Sequence, residues 1–304
     1  MSAGTADRIG TANRTVLVAV ERPDYGEQLV RTACDLARAY DSGVKVITVA
    51  VKHRESPFAI LSDETIIEDY AAESNRILAE ATTVVPGDVP IDGEVVVGQS
   101  VVHGLTKAAD ETDAVAAVTG WHEREGRTDA VLGTTVDRLI ERLPCDLYVE
   151  KIGAEADGVD SILLPVAGGP HVRPAAVVAK AIAAPNDATI TVFSVASEDI
   201  DREAAREYAA RATAALRAAP GRAVEVESVV GDGGPIADRI VEVAADHDII
   251  VFGTTRRSAF RRRLVGSIPR SVADRTDRTI IMARAEEGAT GRPMRLSRLW
   301  RSKS

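Results

Sequence analysis

Two stretches of this sequence place glycines and a hydroxyl where they could hold a phosphate. In one, Gly253 is followed by two residues, then Arg256, nine residues and Gly266-Ser267. In the other, Gly120 is followed by two residues, then Glu123, nine residues and Gly133-Thr134. A glycine lets the backbone turn sharply and approach an anion closely. A Ser or Thr that opens a helix can cap it or donate to a phosphate, and a helix N-terminus favours negative charge. The stretch from Gly253 is basic, with Arg256, Arg257, Arg261, Arg262 and Arg263. That suits an anion, although such a run also reads as a solvated loop or as a surface for an acidic partner. Glu123 puts negative charge into the other stretch. In both, the glycines could equally serve only to shape a turn.

Other chemistry is hard to assemble. The histidines His53, His103, His122, His171 and His247 sit in unrelated places, and none has a metal-ligand spacing. There is no G-x-S-x-G elbow and no phosphate-loop lysine. No metal and no catalytic set is expected, and the chain reads as a binding protein rather than an enzyme.

The elements that must position the two stretches follow from hydrophobic periodicity. Residues 15–20 (TVLVAV) read as a buried strand. Leu29, Ala33, Leu36, Ala37 and Tyr40 then fall on one helical face, with Gly43 placed to close that helix. Strands are expected at residues 44–51, 95–97, 113–119 and 146–150, and helices at 64–84, 101–110 and 134–143. The order then begins again. Strands are expected at 161–166, 188–195, 223–230, 248–252 and 279–282, with helices at 173–184, 200–219, 235–247 and 267–276.

The repetition is the most informative feature of the sequence. Gly98 matches Gly231, Gly120 matches Gly253 and Gly133 matches Gly266, all at one constant offset. The first strands match at a larger offset, which places extra residues in the connection at 53–63. Alternating strands and helices imply an α/β fold: two tandem Rossmann-like domains, each a five-stranded parallel sheet with helices on both faces. The expected boundaries are 14–152 and 159–285, joined by the small, acidic stretch GAEADGVD at 153–160. Residues 1–13 are small and polar, and disorder is expected there.

At these residues the sequence resembles the universal stress protein family. That family's ATP-binding signature is Gly, two residues, Gly, nine residues, Gly, then Ser or Thr. Both copies keep the spacing, the outer glycines and the hydroxyl; Glu123 and Arg256 replace the middle glycine. Val97-Gly98, Val230-Gly231 and the run LPCDLYV at 143–149 fit the same family. The resemblance implies a ligand site in each copy, formed by Gly231, Gly253, Arg256, Gly266 and Ser267 in the second. In the first it implies Glu21, Gly120, Gly133 and Thr134. The family's ATP binders carry an aspartate just after the first strand, near the adenosine. Glu21 and Ala167 hold those positions here. Glu21 could accept a ribose hydroxyl; Ala167 cannot. The resemblance also implies that the last strands pair between domains, which a tandem chain can do within itself as an internal pseudo-dimer, with a further homodimer conceivable.

Composition bounds the partners. Hydrophobic residues make up 45 % and aromatics 4 %, so aliphatic side chains must build the core, as suits parallel strands covered on both faces. The net charge of −9 gives no overall attraction for nucleic acid or anionic membrane. Cys34 and Cys145 read as buried free thiols. No apolar signal core or membrane-length run is present, and the cytoplasm is the expected compartment. Two functions remain. One is a cytoplasmic stress-response protein binding ATP or another adenine nucleotide. The other is a nucleotide-free interaction module. The second copy, with LPVAGGP after its first strand and GSIP at its loop end, resembles stress-protein domains appended to archaeal amino-acid transporters. That resemblance implies a membrane transporter as a partner.

The tail at 286–304 departs from the acidic remainder. Arg292, Arg295, Arg298, Arg301 and Lys303 make it basic, and Leu296, Leu299 and Trp300 would share one helical face. Isolated helices of about three turns are marginal in water, so it should order only against a surface. Anionic vesicles at moderate salt are expected to blue-shift Trp300 fluorescence, and Leu299→Asp to remove the shift. No shift from a Trp300 already buried against its own domains would make the tail ordinary internal structure.

Overall fold

A computed structural model describes residues 14–21, 26–52, 87–121, 134–153, 158–169, 172–254 and 267–286, together with Thr65, Arg76 and Ala79. The first half contains β1 (Thr15–Ala19), α1 (Gly26–Tyr40), β2 (Gly43–Val51), β3 (Ile91–Gly98), α2 (Val101–Glu111), β4 (Ala114–Gly120), α3 (Thr134–Arg142) and β5 (Asp146–Lys151). The second half contains β6 (Ser161–Pro165), α4 (Val172–Asn186), β7 (Thr189–Ala196), α5 (Arg202–Ala218) and β8 (Val226–Asp232). It closes with α6 (Ile236–Ala244), β9 (Ile249–Gly253), α7 (Ser267–Ala273) and β10 (Thr279–Arg284). The helix expected over 64–84 lies outside the described residues apart from Thr65, Arg76 and Ala79. The segments 1–13 and 287–304 lie outside them as well.

The strands are short aliphatic runs because both of their faces are covered. Ile162, Leu163 and Leu164 of β6 are each 0 % exposed. Successive side chains leave a strand on opposite faces. Ile162 and Leu164 therefore join one apolar layer, and Leu163 joins the other. Polar side chains fix helix ends: Ser100 accepts from the His103 N–H at the start of α2, and Asp201 from the Ala204 N–H at the start of α5. At the other ends the sequence reading needs a correction. Gly43 does not close α1; it is the first residue of β2. Asp41 turns the chain instead, at φ 51°, and Asp113 and Asp187 do the same before β4 and β7, at φ 48° and 54°. A short side chain that bonds locally lets aspartate enter this left-handed region. Pro235 caps α6 from outside its first turn, and the helix begins at Ile236.

Each half is a five-stranded parallel sheet, in the order β3-β2-β1-β4-β5 and β8-β7-β6-β9-β10. The two join edge to edge into one ten-stranded sheet through antiparallel β5 and β10. Their register runs from Leu147 opposite Arg284 to Lys151 opposite Ile280. The pairing expected between last strands thus forms within the chain, and α1 packs on α4 beside it. The cysteines are free and buried, as expected.

The seam holds a buried acid. Glu150 of β5 is 1 % exposed. It accepts hydrogen bonds from Gln28 Nε2 at 2.6 Å and Thr32 Oγ1 at 3.0 Å, both on α1. Gln28 also donates to Thr279 Oγ1 on β10, so one amide ties α1, β5 and the second half together. Burial pushes the Glu150 carboxyl up to about 7, against the pull of those two donors. Asp35, further along α1, is also pushed up to about 7 by burial, although Arg38 pairs with it at 2.9 Å.

A folded-state pKa above the unfolded value means that the fold favours the protonated acid. The stability these acids contribute is present below the ordinary carboxylate range and is lost as pH rises through about 7. The melting temperature should therefore fall as pH rises from the ordinary carboxylate range to about 7 and level off above it. Glu150→Gln should flatten that fall and stabilise the protein at the upper pH, by on the order of a few kcal/mol. Thermal melts of both proteins across the range check this; an identical slope in the variant contradicts it.

Candidate functional site

In each half the strand order reverses between the first and fourth strands, and in a doubly wound sheet ligands bind beyond the carboxyl ends of the strands at that point. The second half has a cavity of about 170 Å³ there, lined from β6, β7, β9 and the helices α4, α6 and α7. Pro165 and Val166 supply the β6 side, Phe193 and Val195 the β7 side, and Gly253 the end of β9. Ile236 and Ile240 of α6 and Ile268 and Pro269 of α7 close it. Strand β7 outruns β6: the β6–β7 pairing ends at Phe193, whereas the β7–β8 pairing continues to Ala196. This offset leaves Val195 facing the cavity rather than a neighbouring β6 side chain.

The turn after β6 shapes the mouth. Ala167 is exposed and lines the cavity. Gly168 and Gly169 both have positive φ, 78° and 89°, which glycine adopts without a Cβ penalty. A Cβ on Gly168 would lie 2.6 Å from Tyr208 Cε1 on α5. The ring of Tyr208 thus packs directly against this turn.

The structure brings some of the expected residues together and not others. Gly253 ends β9 at the cavity, and Ser267 opens α7, whose next two residues form a wall. Gly231 stands one strand away, behind Phe193; a Cβ there would lie 2.9 Å from Phe193 Cζ. Arg256, Gly266, Gly133, Glu123 and His122 lie outside the described residues, as do Arg257, Arg261, Arg262 and Arg263. In the first half, Glu21 is exposed just past β1, Gly120 ends β4, and Thr134 opens α3. Sequence reasoning did not single out Phe193 or Val195, read Ile268 and Pro269 only as part of the GSIP run, and counted Ile236 and Ile240 as ordinary core. Apolar residues that line a site carry the same pattern as apolar residues that fill one.

The halves differ where the chain leaves β4 and β9. Thr254 N–H donates to Ala283 O at 2.8 Å, and Trp121 N–H donates to Glu150 O at 2.7 Å in the equivalent place. Trp121 is 4 % exposed, and Lys151 Nζ lies 5.9 Å from its ring centroid. Lys151 also donates to Ala273 O at the end of α7. The position after Gly120 is therefore committed to the seam.

The described lining of the second-half cavity is apolar. The described lining offers no carboxylate to a ribose, because Ala167 stands just after β6. Among the described residues no three His, Cys, Asp or Glu side chains group to hold a metal ion.

The universal stress protein family matches residues 12–151 and again 158–284. The chain belongs to the universal stress protein family. No curated protein matches its sequence. Its fold is similar to that of a universal stress protein from Archaeoglobus fulgidus DSM 4304, with a TM-score of 0.56 and 14 % identity over 90 % of this chain and 97 % of that one. A functionally unknown protein from Pseudomonas aeruginosa PAO1 is similar at TM-score 0.54 and 16 % identity, covering 90 % and 93 % of the two chains. So is the cytoplasmic domain of a prokaryotic cation chloride cotransporter, at TM-score 0.55 and 13 % identity over 89 % and 95 %. All three span both halves, so the tandem arrangement recurs in each.

In this universal stress protein the turn after β6 is a point of strain for any residue but glycine. Gly168→Ala should destabilise the protein by about 1–3 kcal/mol, from the left-handed backbone and the contact with Tyr208. A lower urea midpoint with an unchanged m-value is the expected result. An unaltered midpoint contradicts the packing described.

Proposed function

We propose that this universal stress protein is a cytoplasmic regulatory protein of the stress response, not an enzyme, and that its second half binds an adenine nucleotide, ATP in the first instance. The observation that carries this reading is the cavity at the carboxyl ends of β6, β7 and β9, at the switch point of the sheet. A nucleotide base enters the cavity, and the phosphates extend over Gly253 toward Arg256, Gly266 and Ser267. Opposite charges a few ångströms apart near a surface attract by on the order of a few kcal/mol before screening. Arg256 supplies such attraction, whereas Glu123 in the first half repels. The first half, with Glu21, Gly120, Gly133 and Thr134 as its candidate contacts and Trp121 packed at the seam, is the weaker site.

A second reading is a nucleotide-free interaction module that regulates a membrane transporter. It is favoured by the likeness in fold to the cytoplasmic domain of a cotransporter and by the loss of the acidic contact at Ala167. No helix among the described residues is long and apolar enough to cross a membrane, so such a partner would be a separate chain or lie outside the described segments.

Titrating ATP into the wild type, Gly266→Asp and Gly133→Asp tests the first reading. Binding lost only in Gly266→Asp is the expected outcome. Equal loss in both variants, or loss only in Gly133→Asp, contradicts the assignment to the second half. A wild type that is purified without nucleotide and gives no ATP response favours the interaction module.

A further inference from the structure

The second-half cavity is unusual in what it lacks. Every residue lining it, among those described, is Gly, Ala, Val, Leu, Ile, Phe or Pro. Among the described residues, no side chain there can donate or accept a hydrogen bond, and none carries charge. A charged group inside would have no counter-charge, and a polar edge would depend on whatever backbone groups reach it; buried polar groups without partners cost free energy. Apolar rings suffer neither penalty.

Size points the same way. The volume is about 170 Å³. Pockets that enclose whole drug-sized ligands run from about 300 Å³ upward, so a complete nucleoside triphosphate cannot be enclosed. An apolar cavity of about 150 Å³ lined by Leu, Ile and Phe, by contrast, takes up benzene. The walls here are of that kind: Phe193 and Val195 on one side, Ile236, Ile240 and Ile268 on the other. Entry is open, because Ala167 both lines the cavity and is exposed.

We infer that this cavity binds an uncharged aromatic ring of low polarity, between benzene and indole in size, and that the ring alone suffices for binding. The inference rests on the reading that this cavity is the ligand site of the second half, and it changes what the site selects. Sugar and phosphates, when present, lie outside the cavity and are not needed. The ligand class is then a free aromatic compound, or the aromatic end of a larger molecule.

Indole is the probe, titrated calorimetrically into the full chain beside ATP. Two variants fill the cavity: Val195→Phe from within and Ala167→Phe at the exposed mouth, where a change leaves the core intact. Circular dichroism melts establish that each is folded. Saturable indole binding in the wild type that is lost in the folded variants is the expected result. Indole binding that persists in Ala167→Phe and Val195→Phe places it elsewhere and overturns the inference. ATP binding without indole binding also overturns it, while leaving the nucleotide reading intact. Indole binding without ATP binding supports it and removes the nucleotide reading. Binding of neither removes both.

Discussion

The pairing of β5 with β10 is the constraint on which the rest of the structure depends. A parallel sheet needs both faces covered, and its edge strands present unpaired backbone groups. Each half ends on an apolar strand, LYV within β5 and TIIMA within β10, that would be such an edge if the half stood alone. Joining the two removes both edges at once. It also makes the cores continuous: Tyr148, Ile281 and Ala283 lie in one apolar layer with residues of both α1 and α4. The ends of the ten-stranded sheet are left to β3 and β8.

The antiparallel sense of that pairing sets where sites can be. All strands of one half run opposite to those of the other, so their carboxyl ends lie at opposite ends of the sheet. The two switch points of the sheet therefore lie apart, and their surroundings differ. Strand β9 ends with Gly253 lining a cavity; just beyond β4, Trp121 lies against Lys151, which reaches across the seam to α7. The first half uses a large side chain there to brace the joint.

The seam is also where the polar cost concentrates. Glu150 is buried between α1 and β5 with neutral donors, Gln28 and Thr32, as its hydrogen-bond partners. Burial holds this carboxyl toward its protonated form against the pull of its two neutral donors. Gln28 bonds Glu150 and Thr279 together, so the state of one acid is felt by both halves. This couples the joint to pH.

The sequence by itself determined the repeat and the fold class, and the pairing of halves came only as what the family resemblance implies. Aliphatic runs, helical spacing and glycines at a constant offset are local or periodic signals, and they survive without coordinates. It also placed Gly120 and Gly253 where β4 and β9 end. It misjudged the end of α1, giving Gly43 a role that Asp41 performs, because both residue types enter the left-handed region. Only the tertiary structure decided that Gly231 supports Phe193 from behind, that Trp121 is spent on the seam, and that Ile236, Ile240, Ile268 and Phe193 surround space. An apolar side chain at a buried position reads the same whether its neighbour is another side chain or a void. That difference is set by how far strand β7 outruns β6 and where α6 and α7 come to rest, which are distances between elements remote in the chain.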